Sequence, residues 1–150
     1  MAAPLVAPRS TAPSHQHKHL IDEGLWKRLV DRMVLEKVLE PTYAERLLDQ
    51  ALGFLLLCAR QPGDSFAPSD AVDIAWHTFI IHTRDYAAFC DRIAGRFIHH
   101  DPVDESMGSH HGPEVNTAEA MRSLGIHVDD ELWASQADCG GKSCYSCTSK

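Results

Sequence analysis

Residues 70–102 read DAVDIAWHTFIIHTRDYAAFCDRIAGRFIHHDP, a spacing that predicts two helices joined by almost nothing. Ser69 or Asp70 can cap a helix running to about Ile81, in which Asp73 and His77, four residues apart, share one face. Thr83 can cap a second helix from about Arg84 to Ala94, where Tyr86 and Cys90 share a face by the same spacing. So short a link makes the second helix fold back or cross sharply, which allows the two polar faces to meet. Gly95 then stops the second helix, and the apolar Phe97 and Ile98 can anchor His99 and His100 nearby. The expectation is a cluster of Asp73, His77, Tyr86, Cys90 and one of His99 or His100, because adjacent histidines point in different directions.

Working outward, the upstream chain reads as helix. Leu25, Leu29 and Met33 form one apolar row and Trp26, Val30 and Val34 its neighbour, which predicts a helix over 22–38 with a broad buried face. Pro41 breaks the chain, and Thr42 with Glu45 forms a capping box for a helix over 42–59. Its second half, ALGFLLLCA, is apolar on every side and belongs at the centre of the domain, with Cys58 as a small core residue. Pro62, Gly63 and Pro68 make 61–68 a loop. Downstream, the segment with Gly108, His110, His111 and Pro113 reads as a polar surface loop. Asn116 with Glu119 can cap a short helix through Leu124, and Asp129 or Asp130 can start a turn that returns Leu132 and Trp133 to the core. No stretch reads as a strand of useful length. The expected fold is all-α, a compact bundle of four to five helices, with Leu29, Leu48, Leu52, Leu55, Ile74, Trp76 and Phe89 largely buried.

The ends differ in character from the middle. Residues 1–19 are rich in Pro, Ala and Ser and close on His15, His17 and His19, which predicts a disordered arm before a helical domain over 20–135. Residues 136–150 form a flexible tail in which Cys139, Cys144 and Cys147 fall at C-x4-C-x2-C among Gly and Ser. That spacing opens plant-type iron–sulfur ligation, but the fourth cysteine is missing. GGKS in the tail lacks the leading glycine and the following helix of a phosphate loop. Three thiols here predict capture of a soft ion, with a fourth ligand borrowed from His127, the histidine arm, another chain or water.

The chain's 150 residues suffice for one domain, and its net charge of −7 argues against nucleic acid as a partner. The N-terminus lacks the basic region of a signal peptide, and no apolar run reaches the ~18 residues of a spanning helix, so a soluble, cytoplasmic protein with no membrane partner is expected. Five cysteines, two of them within helical patterns, fit reduced thiols better than a disulfide framework, and ten histidines point towards metals or protons.

Asp73, Trp76, His77, Tyr86 and Cys90, followed by Gly95, Phe97, His99, His100 and Pro102, resemble the domain of glycine-rich domain-containing proteins, most closely its short bacterial stand-alone form. The second His of the eukaryotic pattern, two positions after His77, is Phe79 here. The resemblance implies a mostly helical domain and no established reaction.

Two functional classes follow. One is a noncatalytic helical module that binds Zn²⁺ or another divalent transition metal through Asp73, His77, Cys90, His99 or His100, or through Cys139, Cys144 and Cys147, with a protein partner or self-association through the tail. The other is a metal-dependent enzyme in which the same cluster keeps an open position and activates water, with Asp73 or Tyr86 moving a proton, on an unidentified small-molecule substrate. No serine-nucleophile motif, nucleotide loop or HExxH pair is present.

Overall fold

The computed structural model of the chain describes residues 15–101 and 116–134, together with the backbone of 146–148. After a 3-10 turn over Lys18–Leu20, the helices are α1 (Glu23–Lys37), α2 (Pro41–Arg60), α3 (Asp70–Ile81), α4 (Thr83–Ala94), α5 (Thr117–Ser123) and α6 (Asp130–Trp133). Two three-residue strands, β1 (His99–Asp101) and β2 (Ser146–Thr148), pair antiparallel. The fold is thus the expected helical bundle. The strands escape the sequence because three residues are too few for an alternating pattern to register.

Side-chain caps explain where α1, α2, α3 and α5 begin. Asp22 accepts from Leu25 N–H at the start of α1, and Ser69 accepts from Val72 N–H at the start of α3. Pro41, expected to break the chain, is instead the first residue of α2, capped by the Glu40 carboxylate accepting from Tyr43 N–H. Proline suits that position because its fixed φ is helical and its missing N–H would have no partner there. Thr83 is likewise inside α4, and His82 alone separates it from α3. His82 closes the corner, its ring Nδ1 lying 2.9 Å from Thr78 O.

The all-round apolar helix is the hub. Leu47, Leu48, Ala51, Leu52, Phe54, Leu55 and Leu57 of α2 are fully buried, and α2 packs against α1, α3, α4 and α5. Leu29, Trp76 and Phe89 are buried as expected, while Ile74 is only half-buried at the edge of α3. Polar side chains pin the C-terminal part to this hub. Buried Gln50 accepts from Asp129 N–H (3.0 Å) and Trp133 Nε1–H (2.8 Å) and donates to His127 O at 3.2 Å. Arg46 grips Asp129 with two hydrogen bonds of 2.8 and 3.0 Å, and these raise its affinity for its proton. Among the described residues, no helix is long and apolar enough to cross a membrane.

The N-terminal arm is shorter than expected. His15–His19 belong to the folded body, and His17 is buried on α2, its backbone N–H donating to Asp49 Oδ1 at 2.7 Å. Gly53 makes room for that ring, since a Cβ there would stand 2.7 Å from His17 Cε1. No local pattern announces such docking, because the partner lies 32 residues away. Residues 1–14, the His110–His111 loop, Cys139 and Cys144 lie outside the described residues.

Val38 ends α1 in the left-handed region at φ 53 while its side chain is 88 % exposed. A β-branched residue is strained there and gains nothing from packing in return. Val38→Gly should therefore raise unfolding stability by roughly 0.5–1 kcal/mol, after allowing for the extra freedom of glycine in the unfolded chain. A urea midpoint that stays the same or falls would contradict this.

Candidate metal centre

The site begins on α3. Ser69 sets the start of the helix, and Asp73 N–H continues it by donating to Ser69 O at 2.9 Å. Four residues later His77 stands on the same face, with its Nε2 3.2 Å from Asp73 Oδ2. This pair was legible from spacing alone.

The third member arrives on β1. Buried Tyr86 of α4 accepts a hydrogen bond from Trp76 Nε1–H at 3.0 Å and donates one to Ile98 O at 2.6 Å. This chain of bonds ties α3, α4 and the entry to β1 together at one point. Ile98 is fully buried, so the residue two positions on, His100, turns inward again, while His99 between them faces solvent beside Phe97. His100 Nε2 lies 2.8 Å from Asp73 Oδ1. Its ring is flanked by Trp76, with centroids 4.2 Å apart, and by His77 at 4.3 Å.

Asp73, His77 and His100 each offer one ligand atom, and the three atoms lie within 4.8 Å of one another. Both imidazoles address the carboxylate through Nε2, so the same two nitrogens and an Asp73 oxygen would face a shared ion. Ligands about 2.0–2.2 Å from one Zn²⁺ sit roughly 3–4 Å apart, and the 3.2 Å His77–Asp73 separation already falls in that interval. The side chains of Asp73 and His100 are 13 % and 9 % exposed, whereas that of His77 is 52 % exposed. Of its three members, His77 is the one most open to solvent.

The remaining sequence candidates stand elsewhere. Cys90 is not in this group; it is fully buried beside Tyr86, where removal from water pushes its thiol pKa up, outweighing the opposing influence of its polar neighbours. It shares a helix face with Tyr86 as expected, but that face is apolar and turned to the core. His99 is outside the group as well. Tyr86 is unsuited to proton transfer: its hydroxyl is fully buried and committed at both ends, and burial, followed by the neighbouring Cys90, drives its pKa far up. Cys147 is described only through the backbone of β2. Sequence reasoning took Trp76 as plain core packing and missed its second use as the wall of His100; only the arrival of β1 reveals it.

Comparison with known proteins finds one family model, described as UCP032817-like, matching residues 16–123. That span contains α1 to α5 and the whole Asp73/His77/His100 group. The matching family does not carry the glycine-rich domain-containing name. No curated protein and no solved structure matches the chain.

Proposed function

The chain belongs to the UCP032817-like family, and from that premise we propose that it is a helical module that binds one divalent transition metal through Asp73, His77 and His100. The observation that carries this reading is the convergence of two imidazole nitrogens on a single, largely buried carboxylate. Two histidines and one carboxylate suit Zn²⁺ with a water in the fourth position, or Fe²⁺ with open positions. The likeness of residues 70–102 to glycine-rich domain-containing proteins belongs to the same proposal. Its Asp73, His77 and His100 are the ligands, and its Trp76 and Tyr86 hold His100 in place.

A catalytic version is favoured by one observation, the half-exposed His77 side chain, through which a small substrate would reach a metal-bound water. In that version Asp73 acts as a ligand, and the bound water supplies the nucleophile.

The test uses full-length chain in which Cys139, Cys144 and Cys147 are all replaced by Ser, so that the tail thiols contribute nothing. Competition with a chromophoric chelator should give one Zn²⁺ per chain. His100→Ala should weaken that binding by more than about 100-fold, beyond the 10–100-fold cost of losing a merely supporting group. Equal affinity in the two proteins would remove the site.

A further inference from the structure

On α3, His77 stands three residues after Ile74 and four before Ile81, and on a helix both spacings bring side chains together, with Cβ atoms about 5–6 Å apart. Ile74 is half-buried against the core, whereas Ile81 is 52 % exposed. Leu35, Val38 and Phe97 are the other large apolar side chains left exposed among the described residues. Ile81 is the one that stands a helical turn from a member of the Asp73/His77/His100 group, and that member is the one most open to water. The stripe also has a direction. Exposed Asp70 begins it at the N-terminal end of α3, one turn before Ile74, and Ile81 ends it. The side of His77 towards the C-terminal end of α3 is therefore apolar and the far N-terminal end acidic.

We propose that the open side of the metal group takes a small aliphatic monocarboxylate, its carboxylate on the ion beside His77 and its chain laid along α3 over Ile81, an inference that rests on the metal-binding reading above. Charge selects the head. A divalent ion held by one carboxylate and two neutral imidazoles keeps one net positive charge, and a single carboxylate cancels it while supplying an oxygen donor that Zn²⁺ accepts in place of water. The apolar flank selects the tail. A chain turned towards Ile81 covers apolar surface that water now touches, whereas one turned the other way meets Asp70. The size of the flank selects a small molecule over a second copy of the chain. One exposed isoleucine falls far short of the roughly 800 Å² per partner that a stable interface buries, but it matches the side of a short aliphatic chain.

The experiment uses full-length chain carrying Cys139→Ser, Cys144→Ser and Cys147→Ser, loaded with Co²⁺ and titrated with acetate, butyrate and hexanoate while the visible cobalt bands are followed. Affinity should rise by about two- to fourfold per added methylene, as expected when each is taken out of water. Adding Ile81→Ser should flatten that rise while the affinity for acetate, which is too short to reach residue 81, stays the same. Bands that no carboxylate perturbs, a series that is flat in the parent, or a rise that survives Ile81→Ser each overturn the inference and leave the metal site standing. Sedimentation of the Co²⁺-loaded protein covers the other occupant: a dimer that Ile81→Ser dissolves makes the stripe a contact between copies and overturns the inference as well. If the parent takes up no Co²⁺ that His100→Ala releases, the underlying metal-binding reading falls, and this inference with it.

Discussion

Tyr86→Phe should destabilise the protein by roughly 2–5 kcal/mol, far more than the loss of one oxygen atom would suggest. The hydroxyl serves two buried partners at once, accepting from Trp76 Nε1–H and donating to Ile98 O. Both Trp76 and Ile98 are fully buried, so water has no ready access to replace it. Removing it leaves a donor and an acceptor unpaired, each at about 1–3 kcal/mol. The same change unfastens β1 from α4, so metal affinity should fall with stability even though Tyr86 is no ligand. Urea unfolding and metal competition on the same variant check both halves. Stability within about 0.5 kcal/mol of the parent would mean that the three groups find other partners and that this is not the tether.

The second large effect is expected at the other end of the chain. His17→Ala should cost about 1–3 kcal/mol, because it removes the ring's hydrogen bonding to a buried carboxylate while the backbone N–H of residue 17 still donates to it. Asp49 is 4 % exposed, and His17 Nδ1 lies 3.0 Å from its backbone O and 3.2 Å from its Oδ2. Burial is the largest single influence on the Asp49 pKa and pushes it up, but hydrogen bonds from the His17 ring and backbone N–H together outweigh it, leaving a net lowering. A carboxyl group whose folded pKa lies below its unfolded value of about 3.9 contributes stability in full above that value. The contribution is lost as pH falls through the folded value. The stability advantage of the parent over Asp49→Asn should accordingly shrink as pH falls below about 4. An advantage that grows on acidification would reverse the assigned sign.

The two predictions concern contacts of different legibility. Tyr86 and Cys90 were visible as neighbours on one face of α4, and Asp73 and His77 as neighbours on one face of α3, because helical geometry brings residues four apart together whatever surrounds them. The same local rules offered Ser69, beside Asp70, and Asn116 as caps, and picked out the all-round apolar run that makes α2 the hub. Alternation in an extended segment also required that His99 and His100 part company. These features depend only on residues within about a turn of one another, and the sequence by itself determined them.

What the sequence left open was decided by partners far along the chain. His100 rather than His99 meets Asp73, across 27 residues, because Ile98 is the residue that buries and Tyr86 fixes its carbonyl. Cys90 turns to the core because its helix face packs there, which no spacing rule distinguishes from a polar face turned towards Asp73. His17 leaves the expected arm because Gly53 lacks a side chain beneath it and Asp49 offers a buried acceptor, again 32 residues away. Each of these choices weighs desolvation against hydrogen bonding for groups that meet only once the bundle has closed. A helix period fixes which residues share a face, but only the packed tertiary structure fixes what that face meets.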